Sequence, residues 1–156
     1  MIFYFLMNII SVHGYYMKSY PFKTNITVQI GDINYGGHLG NDKSLVYFQE
    51  ARLRYLKELN ASEMDIGDGV SLTQIEAFVS YKGEAFYGDE LVNGVEIEDI
   101  SKAKFKVSYH IIRKGDDTLI GTGYTVLAGF DYKQRRIKRL PQSFIDHVTD
   151  YQSKQD

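Results

Sequence analysis

Between Phe105 and Ile111 every second residue is apolar: Phe105, Val107, Tyr109 and Ile111 alternate with Lys106, Ser108 and His110. Side chains of a strand project to opposite faces in turn, so this pattern predicts a strand over residues 103 to 113 with one face buried. Weaker alternation at Ile75, Ala77, Val79 and Tyr81, at Val95 and Ile97, and at Ile120, Thr122, Tyr124, Val126 and Ala128 predicts three more. Lys114-Gly115-Asp116-Asp117 and Tyr87-Gly88-Asp89-Glu90 supply turn residues, so the strands are expected to follow one another as an antiparallel meander.

From Asp42 to Leu59 the period changes. Leu45, Phe48, Ala51, Tyr55, Leu56 and Leu59 recur at three- and four-residue steps, whereas Lys43, Tyr47, Glu50, Arg54 and Lys57 project oppositely. This predicts one amphipathic helix, a rod of about 27 Å that can lie across a whole sheet. Asn41 or Asp42 is placed to cap its start and Asn60 to end it. A first strand, this helix and four further strands make an α+β fold, with a short C-terminal helix over Pro141 to Tyr151 as an addition.

Composition narrows the function. The 156 residues correspond to one domain, and 44% apolar with 24% charged residues is ordinary globular composition. The 18 basic and 20 acidic residues leave a net charge of -2, which argues against nucleic acid as a partner. The absence of cysteine excludes disulfides and thiolate chemistry and fits the cytoplasm. The apolar run Met1 to Ile10 is too short to span a bilayer and has no basic start, so residues 1–19 are expected to be an extension outside the core, an extra strand or a stretch upstream of a start at Met7 or Met17. His13, His38, His110 and His147 show no paired ligand spacing, so neither metal nor another cofactor is expected.

Chemistry concentrates in residues 31–42, GDINYGGHLGND, where glycines, Gly37 and Gly40 among them, permit close backbone approach and Asp32, Asn34, His38, Asn41 and Asp42 crowd together. A loop of this kind running into a helix N-terminus offers backbone N–H groups, here those near Gly40 and Asn41, to a developing oxyanion. Asp42 reads as an N-cap, or as a carboxylate able to activate water if Asn41 caps instead. Glu50 and Arg54 read as a solvated i,i+4 ion pair. Arg52, within the apolar stripe, is expected to be paired across an interface. The basic run Lys133, Arg135, Arg136, Lys138 and Arg139 is either a solvated surface or a contact for phosphates.

The stretch Asp32 to Arg52, DINYGGHLGNDKSLVYFQEAR, resembles the signature of hotdog-fold acyl-CoA thioesterases of the 4-hydroxybenzoyl-CoA thioesterase type. Tyr87-Gly88-Asp89-Glu90-Leu91 and Gly121-Thr122-Gly123 extend the likeness over residues 20 to 145. It implies a hotdog fold over residues 20–156, an antiparallel sheet of about five strands wrapped around one long helix, and hydrolysis of an acyl-CoA thioester. Where many such enzymes have an aspartate as base or nucleophile, this chain has Asn34, whose amide can do neither. The resemblance then implies that Asn34 orients water or thioester while His38, an imidazole and so of the one side-chain type here suited to general-base work near neutral pH, is the base. A silent acyl-thioester-binding module is the competing reading, and a dehydratase a weaker third, for want of an acidic partner facing His38. An open sheet edge, together with the likeness, predicts a homodimer or homotetramer with Asn34 to Asn41 near a neighbour's strands.

Overall fold

The protein is described from a computed structural model covering residues 10–12, 15–17 and 19–155. The expectations about Met1 to Ile9 lie outside the described residues. Ile10–Val12 (β1) and Tyr15–Met17 (β2) pair with each other as a two-stranded sheet of their own. The main sheet comprises Phe22–Thr27 (β3), Ser71–Tyr81 (β4), Glu90–Glu98 (β5), Lys104–Arg113 (β6), Leu119–Asp131 (β7) and the two-residue Arg136–Ile137 (β8). Lys43–Glu58 (α1) crosses the sheet, and Gln142–Ser153 (α2) follows it, as the C-terminal pattern suggests.

All pairings are antiparallel, in the order β3-β5-β6-β7-β4 with β8 on β7. Only β5, β6 and β7 form a meander. β4 departs from that expectation: it crosses to pair with β7 as the far edge. A register shift between Gln74 and Glu76 makes Ile75 an extra residue of β4, 52% exposed, so it leaves the face shared by Ala77, Val79 and Tyr81.

The core lies between α1 and one face of the sheet. Leu91, Val95, Val107, Tyr109 and Ile111 are fully buried from the sheet side, and Phe48, Ala51, Tyr55 and Leu56 from the helix. Phe48 stacks on Tyr109 with centroids 4.4 Å apart. A Cβ on Gly123 would lie 2.6 Å from the Phe48 ring, so the glycine lets the ring rest directly on β7. Two helix positions reverse the predicted stripe: Tyr47 is buried and Leu45 is 39% exposed. Tyr47 turns inward because its hydroxyl finds an acceptor in Asp32. Asn60, at φ 54°, ends the helix in the left-handed conformation that Asn tolerates.

Arg52 is paired inside its own chain. Its guanidinium reaches Glu63 at 2.6 and 2.7 Å and also donates to Gln74, Tyr109 and Thr125, tying α1 to three strands. Glu50 and Arg54 form the expected exposed pair at 2.8 Å. Arg54 also donates to Thr24 Oγ1 and to the Asn25 carbonyl of β3. No helix among the described residues is long and apolar enough to cross a membrane.

Candidate functional site

The chain between β3 and α1 is held by its own backbone. Val28 donates to the Asp89 carbonyl and Gly88 returns a bond to Val28, at 2.9 and 3.0 Å. A 3-10 turn at Ile30–Asp32 follows, its start held by the Asp32 carboxylate accepting from Gln29 N–H. The same carboxylate oxygen accepts from the Tyr47 hydroxyl at 2.6 Å. Burial, then this bond, raises the Tyr47 pKa well above the phenol range. Asp32 is therefore a structural anchor joining loop to helix.

Asn34 and His38 close a tight turn. Asn34 N–H donates to the His38 carbonyl at 2.8 Å, and Gly37 N–H to the Asn34 carbonyl at 3.1 Å. Asn34 Oδ1 accepts from Gly36 N–H at 2.9 Å and, at 3.4 Å, from His38 N–H. Gly37 sits at φ +82°, a conformation that favours glycine, and so serves the turn. Leu39 N–H donates to the Ala85 carbonyl and Gly40 N–H to the Asp32 carbonyl, each at 2.8 Å.

These anchors set the His38 ring. Its Nδ1 lies 3.1 Å from the Leu39 carbonyl, which can only accept, so that nitrogen carries the proton and Nε2 presents a lone pair. The side chain is 30% exposed, and Glu84 Oε1 lies 3.7 Å from Nε2. Such a neutral imidazole is competent to accept a proton.

At the helix start the arrangement differs in part from expectation. Asp42 occupies the N-cap position, but its side chain makes no capping hydrogen bond; it is exposed, with Lys43 Nζ at 3.9 Å. The Gly40 N–H, expected to face a substrate carbonyl, is engaged by Asp32. Among the described residues the N–H groups of Asn41 and Asp42 enter none of the loop's hydrogen bonds. The Asn41 carbonyl accepts from Tyr81 Oη at 2.8 Å, fixing the loop to β4. The sequence reading singled out neither Glu84 nor, beyond its place in a strand, Tyr81; both are distant in the chain, and no local pattern shows that Ala85 bonds Leu39 and so sets Glu84 beside His38. No cluster of three metal-ligating side chains occurs among the described residues.

Comparisons with known proteins bear on the family and the fold. The family profile described as the thioesterase-like superfamily matches residues 28–148. A 1,4-dihydroxy-2-naphthoyl-CoA thioesterase from Synechocystis is 23% identical, with a TM-score of 0.75 over 83% of this chain and 96% of its own. A hypothetical protein of Staphylococcus aureus solved in complex with CoA is 20% identical, with a TM-score of 0.77 over 86% and 85% of the two chains. A thioesterase from Thermus thermophilus, complexed with coenzyme A and Zn, is 20% identical, with a TM-score of 0.76 over 88% and 98%. No curated protein matches. At these identities the likeness establishes the fold, which is the hotdog arrangement.

Proposed function

The chain belongs to the thioesterase-like superfamily, and from that premise we propose that it hydrolyses an acyl-CoA thioester at the loop between β3 and α1. The observation that carries this reading is the part-exposed His38 ring, protonated on Nδ1 by its contact with a carbonyl and so left with an Nε2 lone pair, in the loop that runs into a long helix. In the reaction, Nε2 takes a proton from water while the water oxygen bonds to the thioester carbon. The carbonyl oxygen becomes an oxyanion facing the N–H groups of Asn41 and Asp42 at the positive end of the helix dipole. The C–S bond then breaks, and the imidazolium returns its proton to the departing thiolate.

Asn34 has a positioning role: its Oδ1 holds the turn that presents His38, and its amide nitrogen can orient water. Gly37 and Gly40 shape the path along which substrate approaches. Asp42, an exposed carboxylate, is the alternative activator of water. The reading uses no metal or other cofactor. A second reading, an acyl-thioester-binding module without catalysis, is favoured by the engagement of Asn34 Oδ1 with its own backbone. A panel of acyl-CoA substrates followed by free-thiol release separates the two. Turnover supports hydrolysis, and binding without release supports the module.

Assembly belongs to the same proposal. The β4 edge carries Ile75, Phe78 and Tyr81 at 52, 51 and 54% exposure, and an edge of this length, unpaired among the described residues, is a template for a second copy. The β3 edge is instead partly covered by Arg54. Two copies joined along β4 would bring each loop, through the Tyr81 to Asn41 bond, near the other copy's strands. Sedimentation at micromolar concentration is expected to give a dimer or tetramer, and a monomer contradicts it.

A further inference from the structure

The side chain missing from the loop is a carboxylate. Asn34 holds the position where an acid is expected, and the Asp32 carboxylate is engaged by Tyr47 Oη and Gln29 N–H. Among the described residues, Glu84 is the carboxylate that forms an ion-pair contact with His38, at 3.7 Å from Nε2. We infer that Glu84, from the connection between β4 and β5, stabilises the protonated His38 imidazole and so acts as a positioning residue for the base. The catalytic part of this inference rests on the hydrolase reading.

The backbone around Glu84 is fixed on both sides. Lys82 and Gly83 N–H groups donate to the Ile120 carbonyl at 2.9 and 3.0 Å. A Cβ on Gly83 would stand 2.7 Å from the Leu119 carbonyl oxygen, so that approach requires glycine. Arg113 Nη1 donates to the Glu84 carbonyl at 3.0 Å, and the next carbonyl, Ala85, accepts from Leu39 N–H. Ala85 is fully buried. Glu84 and His38 therefore project from two segments joined by a direct backbone bond, and only their side-chain torsions remain to be set.

The tautomer makes the contact directional. With the proton on Nδ1, Nε2 is the atom that gains a proton, and the Glu84 charge faces it. A carboxylate there stands opposite the positive charge that the ring gains when Nε2 takes up a proton. Of the other charged groups of these segments, Arg113 pairs with Asp89 and Asp116, and the exposed Asp42 has Lys43 Nζ at 3.9 Å. The Glu84 side chain is 63% exposed, so the coupling is that of a screened surface pair.

The test uses the full chain and two readouts. The His38 imidazole is titrated by NMR in wild type and in Glu84→Gln, its signal assigned by loss in His38→Gln. The expected result is a His38 titration curve in Glu84→Gln displaced from that of wild type, in the direction of a less favoured imidazolium. In the thiol-release assay the same variant should lose roughly 3-fold in kcat, with KM unchanged and the acid limb of the pH profile moved to lower pH. Glu84→Asp, which keeps the charge, should recover part of both. An unchanged His38 titration in Glu84→Gln overturns the inference. If wild type releases no thiol, the hydrolase reading fails and the catalytic role with it, while the titration still decides the pairing.

Discussion

Under α1, the inner faces of β5 and β6 are closed by Leu91, Val95, Val107, Tyr109 and Ile111, all fully buried, whereas on β4 the side chains of Ala77 and Tyr81 face the same side of the sheet and are exposed. One half of the sheet is finished within the chain, and the other is not. Between α1 and the finished half lies the buried Arg52, whose burial demands complete satisfaction: Tyr109 and Thr125 accept from it there, and Gln74, at the start of β4, and Glu63 supply the rest. The unfinished half adjoins the loop of Asn34 to Asp42, through Tyr81 and the Asn41 carbonyl. Burial therefore concentrates in the first half, while the proposed chemistry and assembly draw on the second, so substitutions in the two should separate unfolding from turnover.

The largest effect should come from the closed half. Arg52→Ala would leave Glu63, Gln74, Tyr109 and Thr125 without their shared donor, at a cost of about 3–5 kcal/mol in urea unfolding. Arg54→Ala, which removes an exposed pair two residues on, should cost less than about 1 kcal/mol. Equal losses would erase the contrast between a closed core and an open surface.

The outer face of the same closed strands supplies a pH-dependent effect. His110 is 4% exposed, its Nδ1 has no hydrogen-bond partner among the described residues, and the Tyr20 ring stands edge-on at 4.1 Å. A Cβ on Gly94 would lie 2.5 Å from His110 Nε2, so a glycine on β5 makes room for the ring. Burial, reinforced by the Lys23 charge, pulls the His110 pKa down to about 4. Unfolded, the ring takes a proton as pH falls through about 6.5; folded, it resists until about 4. The unfolded chain thus binds more protons in that window, and stability present above pH 6.5 is lost as pH falls towards 4, by roughly 3 kcal/mol. His110→Gln should flatten that slope in denaturation measured from about pH 7 to about pH 4, and an unchanged slope would remove His110 as its source.

The site loop should respond more weakly in stability and differently in rate. Asn34→Asp restores a carboxylate to the turn while keeping the oxygen that Gly36 N–H uses. Turnover is expected to be kept or raised, within about 10-fold, with unfolding changed by less than about 0.5 kcal/mol. A loss of turnover would mean that the added charge repels the hydroxide forming at His38.

This division also explains what could be read from the chain. In β6 each register position repeats the same face, so local alternation reports burial directly. The turn that joins Asn34 to His38 was legible as a candidate because its residues are neighbours in sequence as well as in space. Tyr47 was misassigned because a phenol buried through one hydrogen bond to Asp32 looks polar to a helical pattern. The position of β4 was illegible because pairing with β7 is a long-range choice, and its alternation is broken by the bulge at Ile75. Glu84 gave no local sign: the Leu39 to Ala85 bond and the Arg113 contact, all distant in sequence, bring it to His38.

The central claim is that the open half hydrolyses an acyl-CoA through His38. Its most direct test is thiol release by wild type and by His38→Ala, with unfolding measured on the same preparations. The account predicts turnover in wild type and a fall in kcat of ~10²-fold or more in the variant, with stability changed by less than about 1 kcal/mol, because His38 lies outside the buried core. Full activity in His38→Ala would contradict it and move catalysis to Asp42.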